Sequence, residues 1–536
     1  MGLKVRMPSS TGGQKRFAYA PMQGIPRSVF DRSHALKTTF MEGHLIPIFV
    51  DEIVPGDTVN IRAKIFARMS TPIFPVMDNM RLKTWWFFIP NRLVWTNWEK
   101  FNGAQEDPGD SIDFTIPQIE PTTAADGFVV GRLMDQLGFP PGVDNTGGRG
   151  TANALFSRAY NLCCKEWFRD QELDDSPVVD TDDGPDAEAD YDLYRRRKPH
   201  DYFTSARIAP QRGTAISLPL GTTAPVVATS VDGYPEFSDG NQDLRLTHTN
   251  ASQATGWDVN AIGAGSVEWG ANIGLEVDLA TATAATINEL RESFAFQKVL
   301  EKDARGGTRY TEHLRVHWQV ISDDARLQRP EFIGSGTQLI TTTAVPQTSE
   351  STGSVPETQK GSLAGFTTSF GDNHRAVYSA REHGILMGIA CVTADLTYQQ
   401  GIPKMFSRST RFDFYLPSFA HLGEQAILSK EIYADGSAGD DGVWGYQERW
   451  AEMRYKPSRT AAYMRSQVTG SLDDWHLALY FSTRPALNSS FIADNAQVER
   501  VVAVPSEQRF ICDAWFDYKH ARPMPVYSVP GQIDRF

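Results

Sequence analysis

Residues 42–105 read EGHLIPIFVDEIVPGDTVNIRAKIFARMSTPIFPVMDNMRLKTWWFFIPNRLVWTNWEKFNGAQ and contain the most regular hydrophobic pattern of the chain. Val54-Pro55-Gly56-Asp57 is a turn signal, because proline presets φ at the second turn position and glycine tolerates positive φ at the third. From Val59 to Met69 apolar side chains alternate with mostly polar ones, which predicts a strand whose apolar face is core. Trp85 to Ile89 is apolar on both faces, as in a strand covered on both sides. These runs predict an antiparallel β sandwich or barrel.

The same region carries a resemblance to a known family. The segments DRSHALKTTFMEGHLIPIFVDEIVPGDT, RMSTPIFPVMDN and FFIPNRLVWTNWEKFNGAQ closely resemble the beginning of the major capsid proteins of the Microviridae, in particular the gokushovirus-like branch. Later segments agree in the same order, namely RAYNLCCKEWFRDQ, DTDDGPDAEADY, RRRKPHDYFTSA, FAFQKVLEKDARGGTRYTEH, SDDARLQRPEFIG, ERWAEMRYKPSRTAAYMRS and LDDWHLALYF. The resemblance therefore covers nearly the whole chain. It implies a mainly β fold, an eight-stranded antiparallel jelly-roll barrel of the viral capsid type with long loop insertions and a few helices.

The resemblance also implies a function. Sixty copies would form a T=1 icosahedral shell around the circular single-stranded DNA of a small bacteriophage, in the virion and, during assembly, in the host cytoplasm. The implied partners are further copies of the chain across fivefold, threefold and twofold contacts, a small basic DNA-packaging protein, an internal scaffolding protein, a DNA pilot protein, the genomic DNA and a host surface receptor.

Composition limits the other possibilities. The 536 residues are 41% hydrophobic, enough for a large core, and the formal net charge of −13 argues against the chain as a whole binding polyanions. Nucleic-acid contact must then come from local basic patches, and a separate basic protein must neutralise a packaged genome. The four cysteines predict buried, reduced thiols rather than a disulfide framework. No stretch reaches the ~18 apolar residues of a membrane span, so membrane insertion is not expected.

Basic residues cluster in the first 41 residues, which carry seven bases and one acid. This pattern is typical of an arm that touches polyanion, and a solubilising tail is the alternative. A second basic group lies on the polar face of the alternating strand, where an ion-paired subunit face is the alternative. The candidate nucleic-acid-binding residues are Lys4, Arg6, Lys15, Arg16, Arg62, Lys64 and Arg68. Two looser candidates combine bases with aromatic residues, Tyr191 to Lys198 and Lys519 to Arg522.

The domain prediction is a basic N-terminal arm, 1–41, followed by a single jelly-roll domain, 42–536, with insertions. Residues 106–212 are expected to form loops and a helix over 153–170, 213–285 a surface insertion, and 334–370 a loop. The resemblance implies that 213–285 forms protrusions at the threefold axes, and an inert surface excursion is the alternative. Thr286 to Glu289 has capping-box form and predicts a helix ending at Gly306-Gly307. Further strands are predicted at 314–321, 384–392, 411–416, 475–481, 498–504 and 510–516.

The sequence contains only weak signals for a metal site or a catalytic site. His313 and His317 are four residues apart, but no third ligand stands at a telling spacing, so no metal site is predicted. The acidic run 170–192 fails as an EF-hand, because Gly184 at position six puts Val179 and Thr181 at the first ligand positions. A solvated loop, an irregular cation site or pairing with Arg195–Lys198 remain alternatives for this run. No nucleophile-elbow, zinc-protease, Walker or dinucleotide motif occurs, so neither an enzyme nor a cofactor is predicted.

A second class of function rests on tryptophans in the less regular segments. Exposed Trp257, Trp269 and Trp444 could stack on sugars, which is the pattern of a β-sandwich carbohydrate-binding or hydrolytic protein. The missing catalytic motif and the resemblance in several separate segments favour the capsid interpretation.

Overall fold

The computed structural model describes residues 26–148, 150–213, 287–307, 309–320, 328–349 and 360–527, and the backbone of five short strands between 226 and 277. The chain divides into two compact units. The first contains the residues up to Pro210 and from Val320 onward, and the second contains Gln211–Gln319.

A nine-stranded antiparallel sheet forms the frame of the first unit. Its strands are β1 (Ser28–Asp31), β2 (His34–Phe40), β3 (Ile46–Ile53), β4 (Thr58–Met69), β5 (Met80–Pro90), β6 (Glu331–Pro346), β7 (Leu363–Ser379), β8 (Gly384–Ala394) and β9 (Phe510–Arg522). The order is β1-β9-β4-β7-β6-β5-β8-β3, and β2 also pairs with β9. β1 and β2 pair with successive parts of β9 and share one edge, so nine strands occupy eight positions. The predicted jelly-roll fold is confirmed, with one edge strand broken in two.

The sheet curls so that its two halves enclose one core. β1, β2, β9, β4 and β7 form one half, and β6, β5, β8 and β3 form the other. Phe516 of β9 meets Phe49 of β3 and Trp86 of β5 at ring-centroid distances of 5.2 and 6.3 Å. The predicted core face of β4 is buried as expected, namely Val59, Ile61, Ala63, Ile65, Ala67 and Met69. Gly56, with φ of 91°, lies in the predicted turn, which Asp57 closes by donating its N–H to the Val54 carbonyl at 3.1 Å.

The outer face of β5 and β8 is covered by a second core. Helix α1 (Leu155–Cys163), continued by a π-helical turn over Cys164–Phe168, packs there, and every residue of β8 is buried. Tyr160 of α1 donates its hydroxyl to the Leu45 carbonyl at 2.7 Å. The prediction that β5 is covered on both sides is confirmed, and the predicted helix at 153–170 corresponds to α1 and its extension. All four cysteines are free and buried.

The predicted loop at 334–370 is wrong. Its described residues lie mainly in β6 and β7, which pair with each other and with β5 and β4. The glycines that suggested a loop are close-approach positions inside the sheet. A Cβ at Gly336 would lie 2.3 Å from Nδ1 of His374, and one at Gly371 would lie 2.4 Å from Oε1 of Gln338. The threonines suit strands because they are β-branched.

Three predicted strands are also wrong, at 411–416, 475–481 and 498–504. The structure has 3₁₀ turns at Arg411–Asp413, Asp473–Trp475 and Val498–Arg500, and of the described residues 476–481 only Leu479 takes part in a β-bridge, with Tyr398. Leu479 donates its N–H to the Thr397 carbonyl at 2.9 Å. Alternation in these segments does not correspond to alternating burial, because no residue of 411–416 is buried, 476–479 is buried throughout, and burial in 498–504 has no period of two.

The other elements of the first unit are short. Its minor strands are Gln118–Glu120, Ala152–Asn153, Asp186–Ala187, Thr397–Tyr398, Glu424–Leu428, Val443–Glu448 and Ser458–Arg459. Its short helices are Trp98–Phe101, Leu133–Leu137, Ser429–Ile432, Ala451–Arg454 and Ser489–Ile492. Further 3₁₀ turns are Asn91–Leu93, Glu188–Asp190, Lys404–Phe406, Pro417–Phe419, Ala438–Asp441 and Ala462–Met464.

The second unit contains two helices in succession, α2 (Ile287–Gly306) and α3 (Tyr310–Trp318). The predicted stop of α2 is confirmed, with Gly307 at φ of 91°, while the Thr286 cap lies outside the described residues. The strand predicted at 314–321 is wrong, because α3 occupies most of it. The short strands are Val226–Ala228, Glu236–Ser238, Asp243–Arg245, Glu268–Trp269 and Leu275–Val277, and the rest of the predicted insertion 213–285 lies outside the described residues.

A buried histidine in β7 makes stability depend on pH. Nε2–H of His374 donates to Oε1 of Gln338 at 2.8 Å, and its Nδ1 accepts from the Thr84 hydroxyl at 2.7 Å. Burial lowers the pKa of His374 to about 4, against the opposing effect of the Asp372 carboxylate. The unfolded chain binds a proton here below pH ~6.5, whereas the native state does not until about 4. We expect the free energy of unfolding to fall by up to about 3 kcal/mol from this group as pH drops through that window.

Comparison with His374→Gln isolates this contribution. Urea-unfolding midpoints between pH 7 and 4.5 should fall more steeply for the wild type than for the variant. The contributions of other buried groups to the pH dependence cancel in the difference between the two chains. One such group is His44, because burial and the nearby Arg195 lower its pKa to about 4. Parallel pH profiles for the two chains would contradict the expectation.

Candidate nucleic-acid interface and subunit contact surface

One face of the sheet is open and carries bases beside aromatic rings. We call it the exposed sheet face and define it by Arg62, Lys64, Phe66 and Arg68 of β4, Phe366 and Phe370 of β7, and Trp515 of β9. The strand register places Phe370 opposite Phe66 and Trp515 opposite Lys64. Phe370 is 71% exposed, which leaves its ring surface open to a partner.

Pairing differs among the three predicted bases of this face. Arg62 forms an ion pair with Asp372 and donates Nε–H to the Asp372 carbonyl at 3.1 Å. The Arg68 guanidinium lies 4.8 Å from the centre of the Phe366 ring. Within the described part of the chain, no acid forms an ion pair with Lys64 or Arg68. The ion-paired alternative therefore fits Arg62, while Lys64 and Arg68 present unneutralised charge.

The aromatic members of this face were not predicted as site residues. Phe366 lies in the segment predicted as a loop, Phe370 lies at its end, and Trp515 is more than 440 residues from β4 in sequence. Only the strand register brings them beside Lys64 and Arg68. The alternation in the predicted strand at 510–516 was a signal for Trp515, because it puts Ile511, Asp513 and Trp515 on one face.

The last part of the predicted N-terminal arm, 1–41, belongs to the sheet. The sheet begins at Ser28, so 28–40 belongs mostly to β1 and β2. Arg32 is bound to Asp51 with Nη2 2.9 Å from Oδ1, and Lys37 pairs with Asp513 at 2.8 Å. Lys4, Arg6, Lys15 and Arg16 lie outside the described residues.

The other two basic clusters are structural. Arg197 pairs with Asp174, and buried Lys198 donates Nζ–H to the Phe491 carbonyl at 2.6 Å. Burial lowers the pKa of Lys198 to about 8. Near the C-terminus, Arg522 Nη2 lies 2.8 Å from a carboxylate oxygen of the buried Asp57. These side chains hold the fold together and are poorly placed to bind a polyanion.

The acidic run 170–192 is folded around a buried base. Arg158 of α1 is completely buried and donates Nε–H to Asp186 at 2.7 Å and Nη1–H to the Asp182 carbonyl at 2.8 Å. Trp95 donates its indole N–H to Asp183 at 2.8 Å. The solvated-loop interpretation is therefore wrong for the centre of the run, where a guanidinium supplies the positive charge. The alternative of pairing with 195–198 is correct for Arg197 and Asp174.

A second exposed surface is apolar. We call it the apolar flank and define it by Ile402, Met405, Phe406, Phe412, Phe414, Tyr415, Leu422, Met453 and Tyr455, which are 41–65% exposed. Met405, Met453 and Tyr455 line one cleft of about 540 Å³, and the Arg408 guanidinium lies 5.7 Å from the Phe414 ring. Exposed apolar patches of this kind mark protein–protein contact sites.

The carbohydrate-binding alternative is not supported at Trp444, the one of its three tryptophans whose side chain the structure describes. Trp444 is only 8% exposed, and its indole N–H donates to the Pro485 carbonyl at 2.8 Å. Trp257 and the side chain of Trp269 lie outside the described residues. Across the described chain, no helix is long and apolar enough to cross a membrane.

Viral capsid proteins share the jelly roll with lectins and cupins, and among these classes the long insertions and the exposed apolar flank favour a shell-forming protein of the viral capsid class. The family model described as capsid protein (F protein) of phages matches residues 19–532, and the chain belongs to this family. The capsid protein VP1 of Bdellovibrio phage phiMH2K is 46% identical over 541 residues, covering 98% of this chain and 99% of that protein. The capsid protein VP1 of Chlamydia phage 1 is 37% identical over 592 residues, covering 97% and 98%.

A third relative agrees with this assignment. The capsid protein VP1 of Spiroplasma virus 4 is 33% identical over 535 residues, covering 95% of each chain. The resemblance to Microviridae capsid proteins is confirmed, and the chain is a structural capsid protein rather than an enzyme. It assembles with copies of itself into a shell and is located in the virion.

Proposed function

We propose that sixty copies of this capsid protein form a T=1 icosahedral shell around the circular single-stranded DNA of a small bacteriophage. The apolar flank carries the proposal, because a monomer has no use for so many exposed Phe, Tyr and Met side chains on one surface. The flank is proposed to pack against a neighbouring copy across one of the fivefold, threefold or twofold contacts.

The exposed sheet face is proposed to contact the packaged DNA. Single-stranded nucleic acid binds where aromatic side chains stack on bases and cations meet phosphates. Lys64 and Arg68 supply unneutralised cations, and Phe370 and Trp515 supply exposed rings on the two neighbouring strands. The N-terminal bases Lys4, Arg6, Lys15 and Arg16 are proposed to add phosphate contacts.

Other components are needed for a complete particle. A net charge of −13 per chain adds negative charge to that of the genome, so a small basic DNA-packaging protein is proposed to bind the shell. An internal scaffolding protein, a DNA pilot protein and a host surface receptor are the further proposed partners, and assembly is placed in the host cytoplasm. Residues 213–285 are proposed to form the protrusions at the threefold axes.

Two charges placed on the apolar flank test the shell contacts. Phe406→Glu/Phe412→Glu should prevent particle formation, because each glutamate would be desolvated at the contact. Val29→Glu is the matched control, since Val29 is 69% exposed but lies on β1. Sedimentation should give megadalton particles for the wild type and the control, and slow species of subunit mass for the double variant. Circular dichroism shows whether the variant is folded, and normal particles from a folded double variant would contradict the assignment of this surface.

The DNA contact predicts a defined salt dependence. Lys64→Gln/Arg68→Gln should weaken binding of a fluorescent oligothymidylate to the purified chain and reduce the slope of log K against log salt by roughly 0.7 for each lost phosphate contact. Phe370→Ala/Trp515→Ala should weaken binding with the slope unchanged, because stacking releases no counterions. Lys360→Gln/Arg381→Gln is the control, an exposed pair of bases outside this face. Equal slopes for the first variant and the control would exclude Lys64 and Arg68 from the interface.

A further inference from the structure

Three metal-ligating side chains meet in the second unit. Oδ1 of Asp303, in α2, lies 3.1 Å from Nδ1 of His313 and 2.7 Å from Nε2 of His317, both in α3. The three potential ligand atoms all lie within 4.8 Å of one another. In the part of the chain that the structure describes, this is the single group of three such side chains close enough to share an ion.

The local sequence builds this arrangement. Spacing of four residues puts His313 and His317 on one face of α3. Gly307, at φ of 91°, reverses the chain, so that α3 runs back along the end of α2. Gly306 allows the close approach of the two helices, because a Cβ there would lie 2.7 Å from a methyl carbon of Val316. Asp303, just before this turn, then faces both imidazoles. The missing third ligand is thus supplied by the preceding helix, ten residues before His313.

The donor set matches one class of ion. Two imidazoles and one carboxylate, with one open position, suit Zn²⁺ in tetrahedral coordination. Metal–ligand bonds of about 2.0–2.1 Å place tetrahedral ligand atoms about 3.3 Å apart. To reach that separation the Asp303 oxygen would move about 0.2 Å from Nδ1 of His313 and about 0.6 Å from Nε2 of His317, and the two imidazole nitrogens, which lie within 4.8 Å of each other, would adjust to the same distance.

We propose that Asp303, His313 and His317 bind one Zn²⁺, which clamps the α2–α3 hairpin and takes water as its fourth ligand. The metal takes the place of the protons that the imidazoles share with the carboxylate. The His313 side chain is 38% exposed, so the ion reaches the site from solvent and can be removed by a chelator. The chemistry is that of a structural clamp.

Zinc titration of the purified full chain tests the proposal. After treatment with a chelator and dialysis, calorimetric titration with ZnCl₂ should show one strong site per chain. Asp303→Asn and His317→Gln should each weaken this site by at least the roughly 10–100-fold that loss of a supporting second-shell partner costs. His421→Gln is the matched control, because His421 is exposed and lies outside α2 and α3. It should leave the affinity unchanged.

A second measurement locates the ion. The Trp318 ring lies 5.4 Å from the His313 ring and 5.7 Å from the His317 ring. Co²⁺, a paramagnetic quencher, should therefore quench a fluorescence component that is present in the wild type and absent in Trp318→Phe, and excess Zn²⁺ should restore it. Helix content by circular dichroism confirms that the variants fold. If the wild type shows no strong zinc site, or if Asp303→Asn and His317→Gln bind Zn²⁺ as the wild type does, the three side chains form a hydrogen-bonded cluster only.

Discussion

Replacing Arg158 by methionine is expected to lower the free energy of unfolding by about 3–5 kcal/mol. The Arg158 side chain is completely buried, and the side chain of its partner Asp186 is 1% exposed. Methionine fills most of the space but leaves the Asp186 carboxylate in a low-dielectric site without its countercharge. Tyr191 donates its hydroxyl to Asp186 at 2.6 Å, which is too little to stabilise a buried anion alone.

Two further variants separate charge from packing. Arg132→Met removes an ion pair with Asp192 at 4.0 Å whose side chains are 42% and 67% exposed, so it should cost at most about 1 kcal/mol. Arg158→Met/Asp186→Leu should recover much of the lost stability, because an apolar pair of similar volume avoids the desolvation of both charges. Urea unfolding of the purified chain, followed by circular dichroism, gives the three values. A cost for Arg158→Met no larger than that of Arg132→Met would show that the buried pair contributes little.

Arg158 also explains why counting charges along the sequence gave a wrong prediction for residues 170–192. The run 170–192 contains eleven acids and no base, which predicted a solvated loop. Its countercharge comes from α1, 28 residues before Asp186 and outside any local window. The same limit applies to Asp303, whose contact with His313 and His317 depends on a turn between two helices.

Local patterning was enough where the buried face of a strand is apolar, as in β4. The alternation from Val59 to Met69 gave the core face of β4 correctly, and with it the direction of Lys64 and Arg68. It failed for β6 and β7, which are rich in Thr, Ser and Gly. Glycine is used there because other residues pack close to the backbone, as His374 does at Gly336. Local patterning also failed at 411–416 and 498–504, where 3₁₀ turns form and burial does not alternate. The aromatic half of the exposed sheet face depends on pairing across hundreds of residues, which no single segment encodes.

Trp86→Ala is expected to lower the free energy of unfolding by about 3–5 kcal/mol, an effect as large as that of Arg158→Met. The Trp86 side chain is fully buried between the two halves of the sheet, and its ring meets the edge of Phe49 at 5.5 Å and lies 6.3 Å from Phe516. Gly388 on β8 leaves room for it, because a Cβ there would lie 2.6 Å from ring carbon Cζ3 of Trp86. Removing the indole leaves a cavity that three paired strands cannot close without breaking their register.

Trp86→Phe should cost far less, about 1.5 kcal/mol or below, although it removes the same indole ring system. The indole N–H of Trp86 is buried and has no hydrogen-bond partner among the described residues, so phenylalanine removes an unsatisfied donor along with some volume. Gly388→Ala should cost about 1–3 kcal/mol in the wild type through overpacking, and much less in Trp86→Ala, where the new methyl meets the cavity. Urea unfolding of the four chains completes this double-mutant cycle. Additive costs would show that the indole and Gly388 are not complementary, and a Trp86→Phe cost as large as that of Trp86→Ala would contradict the expectation that a phenyl ring fills most of this site.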